Sequence, residues 1–491
     1  MKVILSIDQS TQGTKALVWS LDGRALSRAD LPHRQIVNEM GWVSHDLNEI
    51  WQNVKQACIQ ALEKACVSSA EVAALGISNQ RETACCWDRR TGEPLCDAIV
   101  WQCARAEQIA QQLRLEGHAQ SILQKTGMEL SPYFSAAKFR WMIENIPAVA
   151  MALKEGNLCC GTVDAYLLFR MTNGSSFATD LSNASRTQLM NLDTLDWDEE
   201  LVRLFGLSIE CLPQIRASDA CFGQTALDGL FTTPVPIHAM LGDSHAALYA
   251  HRCVEPGSAK VTYGTGSSIM MNAGTERPRA ARGVAVSMAW GMNGEAVYCL
   301  EGNINYTGAV TTWLVNDLKL IDSPKEAGAI ASSLQDNAGV YLVPAFSGLG
   351  APHFNAEARA AIVGMTRACR REHIVRAAEE CIAYQIHDVV QAIDQNRDKP
   401  ICRLHADGGP TRDLFLMQFQ SDILNRPLVV SQTEELSAAG AAYCAGIASG
   451  LATEDEMFSS LRTRVYQPQM RQEHRGRLLE GWQAAVRMIQ Q

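Results

Sequence analysis

Asp8 closes the apolar run of residues 3–7 and opens a turn, QSTQGTK, crowded with hydroxyls, amides, a glycine and Lys15. Short polar side chains and backbone amides in a tight turn can cradle phosphate oxygens, and an aspartate at a strand end can hold a hydrated Mg2+. Thr11, Gln12 and Lys15 are the candidate donors. A plain polar hairpin tip, with Asp8 bonding the turn's own amides, would use the same residue types. A second such turn is YGTG, with Thr265 between Gly264 and Gly266. The glycines permit close approach of backbone to a ligand, although ordinary hairpin turns share that composition.

Two further groups could handle hydroxyls. In NQRET, Arg81 and Glu82 stand side by side directly after an apolar stretch, and Trp101 follows in VWQC. A guanidinium and a carboxylate together can clamp vicinal hydroxyls, one donating and one accepting, while an indole face packs on sugar carbons. A structural ion pair at a sheet edge is the competing reading. In LGDSHAAL, Asp243 ends another apolar strand just ahead of a helix, where a carboxylate can accept a hydroxyl proton or help position a metal. It could also simply cap that helix. His245 is given no role.

These residues need strands that end together. The opening segment predicts a β-hairpin, because ALVWSLDGRALSRAD alternates and turns at Asp22-Gly23. That pattern argues against a P-loop or dinucleotide loop, which needs a helix immediately after its glycines. HDLNEIWQNVKQACIQALEKACV has helical periodicity with Asp46 or Asn48 as cap, and VAALGISN reads as the next strand. A similar order returns later: VPIHAMLGDSHAALYAHRC, then strand, Gly-Thr-Gly turn, strand, then RLHADGGPTRDLFLMQFQSDIL as strand and helix. Two halves with one grammar suggest an ancient duplication with a cleft between them, divided near residue 246 into 1–246 and 247–491.

Composition narrows the function classes. The 491 residues, 47% hydrophobic, are enough for more than one core. A net charge of −10 argues against a nucleic-acid or anionic-membrane surface. The 16 cysteines lack zinc-ligand or CxxC spacing and read as small core residues in a reducing compartment. The amino terminus lacks a signal-peptide pattern, so a cytoplasmic protein is expected. The uncharged stretch LSAAGAAYCAGIASGLAT is built of small residues and reads as a closely packed internal helix rather than a membrane span.

Taken in order, DQSTQGTKA, GWVSHDLNEIW, GISNQRET, AIVWQC, SPYFSAAK, GTVDAYLL, NASRTQLMNLDTLDW, YGTGS, VPAFSGLGAP, DGGPTRDLFLMQFQSDIL and AAGAAYCAG resemble the FGGY family of carbohydrate kinases, nearest its glycerol kinase branch, over essentially the whole chain. The resemblance implies an α/β fold of two actin-like ATPase (ribonuclease H-like) domains closing over a cleft. It implies ATP and Mg2+ as cofactors and a small polyol or sugar as acceptor, and it leaves room for a homo-oligomer. It places Asp8 and Asp243 at the metal, and Thr11, Gln12, Lys15 and Thr265 at the phosphates. Gly308, Gly409, Pro410 and Asp413 would line the rest of the nucleotide. Arg81, Glu82, Trp101 and Tyr133 would hold the acceptor, with Asp243 as general base.

Departures from the family pattern carry their own expectations. Ser244 stands where glycerol kinases typically have glutamine, and Ser268 where they have a phenylalanine that packs on the glycerol carbons. Losing that wall implies an acceptor longer or more hydroxylated than glycerol, a four- or five-carbon polyol or ketose. True glycerol kinase activity is the alternative. An actin-like ATPase acting as chaperone or sensor is a further one, disfavoured by the hydroxyl clamp. The basic loop that binds fructose bisphosphate in regulated relatives is replaced by LDGLFTTPVP, which has no lysine or arginine, so no such inhibition is expected.

Overall fold

The computed structural model describes residues 2–279, 283–353, 355, 357–395 and 400–490. The first half is built on strands β1 (Val3–Gln9), β2 (Gly13–Trp19), β3 (Ala25–Pro32), β4 (Val72–Asn79), β5 (Cys221–Thr225) and β6 (Val235–Gly242). They form one sheet in the order β5-β6-β4-β1-β2-β3. β1 pairs antiparallel with β2 and parallel with β4, which is parallel to β6. Every residue of β1 is buried, as expected of a central strand covered on both faces.

The second half repeats the plan with β7 (Ala259–Tyr263), β8 (Ser267–Gly274), β9 (Ala285–Met292), β10 (Glu295–Ile304), β11 (Leu404–Gly408), β12 (Leu428–Ser431) and β13 (Thr463–Tyr466). The order is β9-β10-β8-β7-β11-β12-β13. β7 is antiparallel to β8 and parallel to β11, as β1 is to β2 and β4. The expected hairpins and the shared grammar of the halves are therefore present as matching topology.

Six helices matter for the site: α1 (Leu47–Ala65), α2 (Ser135–Asn145), α3 (Asp243–Ala250), α4 (Gly308–Asn316), α5 (Leu414–Leu424) and α6 (Leu436–Ala448). Asp46 caps α1 by accepting from the amides of Asn48 and Glu49. The small-residue stretch forms α6, which crosses back to pack on β4, β1, β6 and α3. Its composition follows from that packing. A Cβ at Gly440 would collide with the carbonyl of Ala246 on α3, and one at Gly76 on β4 with that of Ala441. An apolar cluster including Ile4, Trp19 and Leu241 from one half and Met270, Trp290 and Tyr443 from the other joins the halves. Among the described residues, no helix is long and apolar enough to cross a membrane.

Candidate active site

The carboxyl ends of the parallel strands meet at a cleft of about 820 Å3 lined by Asp8, Lys15, Asp243, Gly409 and Glu435, among others. Strand ends at a crossover are where open α/β sheets place their ligands. Asp8 is 4% exposed and accepts from Ser78 Oγ at 2.9 Å, with Lys15 Nζ 4.0 Å away. Burial pushes its carboxyl up to about 6; Lys15 opposes the shift and the like charge of Asp243 adds to it. Asp8, with Lys15 no nearer than 4.0 Å, and Asp243, which has Arg81 Nε at 3.2 Å, are two carboxylates on one cleft floor, a setting that a bound cation would relieve.

Lys15 does not point freely into the cleft. Its ammonium pairs with Glu435, which also takes Arg28 at 2.7 Å. Thr11 accepts from Trp101 Nε1 at 2.8 Å, joining the first turn to the expected acceptor wall, and Gln12 is exposed. In the second turn, Gly264 and Thr265 are exposed, and the Thr265 carbonyl accepts from the amides of Thr307 (2.9 Å) and Ala309 (3.1 Å) at the start of α4. Gly308 must be glycine here, since a Cβ would lie 2.9 Å from the Gly264 carbonyl. Gly409 and Pro410 form a tight turn after β11, and Gly409 has open space above it. Asp413 caps α5 through the Leu416 amide and packs against Gly328, so its carboxylate has a structural role.

The residues expected to hold the acceptor meet in a buried ionic network that the sequence did not announce. Arg81 donates to Glu301 through both terminal nitrogens, at 2.8 and 2.9 Å, and its Nε lies 3.2 Å from Asp243 Oδ1. Arg186 donates to Glu82 and sits 3.0 Å from Glu301. Burial alone would push the Glu301 carboxyl up, but Arg186 and Arg81 outweigh it and hold the group well below the usual carboxylate range. Glu82 adopts a left-handed backbone (φ +61°), a conformation that costs a non-glycine residue free energy. Trp101 and Tyr133 pack edge-on at 5.5 Å as an aromatic wall. Lys138 on α2 ties down the Tyr133 and Phe134 carbonyls.

Asp243 is the first residue of α3 and not its cap. Its Oδ1 accepts from the Ser244 amide at 2.6 Å, and its side chain is 35% exposed toward the cleft. Ser268 Oγ donates to Glu301 Oε1 at 3.2 Å, so a polar group occupies this part of the acceptor side. Sequence reasoning missed Glu301, Arg186 and Glu435. The available signal was an acid inside the apolar strand YCLEGNI, where an unpaired charge is costly.

Models of the FGGY family of carbohydrate kinases match residues 3–250 (N-terminal domain) and 259–449 (C-terminal domain). The chain belongs to the FGGY family of carbohydrate kinases. It is similar to glycerol kinase 1 of Thermotoga maritima, 42% identical over 99% of both chains, and to the glycerol kinase of Desulfitobacterium hafniense, 39% identical over 99% of each. Its structure resembles that of Plasmodium falciparum glycerol kinase with ADP (TM-score 0.94, 35% identity, 100% of this chain and 98% of that one). A ligand-bound xylulose kinase from Lactobacillus acidophilus, 22% identical, shares the fold (TM-score 0.87, 98% and 96% covered). As an FGGY kinase, the protein has the two-domain actin-like architecture and phosphorylates an alcohol group of a small sugar or polyol at the expense of ATP.

Proposed function

We propose that this kinase acts on an unbranched four- or five-carbon polyol or ketose, with Mg2+ and with Asp243 as general base. The observation that carries the substrate reading is Ser268. Where glycerol kinases typically set an aromatic wall, this chain has a hydroxyl bonded to Glu301. An apolar mismatch of this kind discriminates by about 10–200-fold. Glycerol itself is the second reading, favoured by the glycerol kinases 42% and 39% identical over nearly the whole chain.

Phosphoryl transfer depends chiefly on positioning and charge neutralisation. Arg81 and Glu82 would hold two neighbouring hydroxyls, with Trp101 and Tyr133 packing on the carbons. Asp243, fixed by Arg81 Nε and the Ser244 amide, would take the proton of the attacking hydroxyl. Asp8 and Asp243 would hold the Mg2+, an ion commonly bound by one or two carboxylates plus substrate phosphates. The chemistry a Mg2+ held there supplies is neutralisation of charge on the transferring group. Thr11, Gln12, Thr265 and Lys15 would meet the phosphates, Lys15 exchanging Glu435 for a phosphate oxygen. Gly308, Gly409, Pro410 and Asp413 would border the nucleotide. Closing of the two halves, divided near residue 246, would exclude water as a competing acceptor. The free, mostly buried cysteines support a reducing compartment, the cytoplasm.

The test is an ATP-consumption screen of purified protein over C3 to C6 polyols and ketoses, with Asp243→Asn as control. A longer acceptor should win, and the variant should lose that turnover. Glycerol as sole substrate would refute the substrate reading, and full activity in Asp243→Asn would refute the base.

A further inference from the structure

A second cavity, about 800 Å3, opens from the acceptor network, and its lining includes Tyr133, Arg186, Glu301, Asn303, Asn305 and Gly350. Alternate residues of a strand face one side, so Glu301 and Asn303 of β10 are successive polar groups about 6.5 Å apart, and Asn305, the first residue past the end of the strand, lines the same cavity. Ser268 is the residue directly opposite Asn303 in the β8–β10 pairing. Side chains so paired are neighbours, so a small residue at 268 leaves Asn303 uncovered. Asn303 Nδ2 donates weakly to Glu301 Oε1 (3.3 Å), and nothing described occupies its carbonyl oxygen. The Asn305 carboxamide is exposed and makes no hydrogen bond to any described residue, while Gly350, without a side chain, keeps the space beside it open.

We propose that Asn303 and Asn305 are the specificity-determining pair of the acceptor site, reading hydroxyls beyond the third carbon of an unbranched, uncharged polyol or ketose. This rests on the substrate reading given above and names the residues responsible for it. A carboxamide both donates and accepts, which matches a hydroxyl of any orientation. Among the described lining residues Glu129 adds a negative charge, while Arg186 is already paired with Glu82 and Glu301, so a sugar acid would find no free cation there. A three-carbon acceptor anchored at Arg81 and Asp243 has no hydroxyl to place beyond Asn303.

The experiment compares wild type, Asn305→Leu and Asn303→Leu in steady-state kinetics with glycerol, erythritol, xylitol and xylulose. Thermal shift with ATP confirms that each variant is folded, and the exposed Asn305 gives the variant least burdened by packing. The expected result is a fall of about 10–100-fold in kcat/KM for the preferred four- or five-carbon acceptor, with glycerol changed less than about threefold. Equal loss on glycerol and on the longer acceptor, or no loss on either, overturns the proposal while leaving a wild-type preference for the longer acceptor intact. A wild-type enzyme that takes only glycerol overturns both readings together.

Discussion

Replacing Glu301 by glutamine tests whether the buried network sets the geometry of the acceptor site. Glu301 is completely buried and carries the bidentate pair to Arg81, the 3.0 Å contact to Arg186 and the bond from Ser268. It lies on β10 in the second half, whereas Arg81, Arg186 and Asp243 belong to the first. The substitution keeps the volume and removes the charge, leaving two buried guanidinium groups with Glu82 and the partly exposed Asp243. Breaking a buried pair by removing one partner costs about 3–5 kcal/mol. At roughly 2–4 °C per kcal/mol for a domain of 150–250 residues, Tm should fall by on the order of 10 °C. Arg81, released from its fork, no longer fixes Asp243, and a shift of about 1 Å there is worth up to about 100-fold in kcat. Because Glu301 titrates far below its unfolded value, its contribution is present above the unfolded pKa and lost only as pH falls through the folded one. The Tm gap between wild type and variant should therefore be constant from about pH 6 to 8 and close only in acid. Calorimetry and kcat measurements on Glu301→Gln and Glu301→Asp check this; the aspartate should regain part of the Tm but little of the kcat. A variant within about 2 °C and twofold of wild type would show that the network neither joins the halves nor positions the base.

Asp8→Asn should abolish phosphoryl transfer yet raise Tm at pH 8. The folded pKa of Asp8 is raised to about 6, so its stability contribution is full below the unfolded value and lost as pH rises through 6; asparagine mimics the protonated form and recovers about 3 kcal/mol at pH 8, the gain shrinking toward zero as pH falls to the unfolded value. A variant less stable than wild type at pH 8 would contradict this. Stabilisation by added Mg2+ should grow as pH rises through 6 in wild type and vanish in Asp8→Asn, read by thermal shift. Gly440→Ala forces a methyl against the Ala246 carbonyl on the helix that begins with Asp243; overpacking on the order of 3 kcal/mol and a lower kcat are expected, and a silent substitution would deny the close α3–α6 contact. Fructose bisphosphate should leave turnover unchanged, since the loop at 227–236 carries Asp228, paired with Lys55 at 2.9 Å, and no basic residue; micromolar inhibition would refute this.

Much of the scaffold was legible because it depends on near neighbours. Alternation and an Asp-Gly turn specify the hairpins, Asp46 caps the helix that follows it, and glycine- and alanine-rich sequence marks a helix that must pack against backbone. Asp243 was found for the same reason: a carboxylate at the end of a buried strand is conspicuous wherever it occurs. Its detailed role was not, since it opens α3 without capping it and answers to Arg81.

The network around the acceptor depended on the tertiary structure. Arg81 and Glu301 are 220 residues apart, Glu82 and Arg186 are 104, and Lys15 and Glu435 are 420. No local pattern encodes such pairs: the docking of the two sheets brings Arg81 to Glu301 and Lys15 to Glu435, and the folding of the first half on itself brings Arg186 to Glu82. The sequence by itself determined which groups lie at strand ends and what each could donate or accept. The packing of one half on the other decided which charges neutralise one another, leaving Asp8 undercompensated, Lys15 occupied and Asn303 and Asn305 lining a cavity. Burial sets that outcome, since a charge removed from water must take whatever partner the fold supplies.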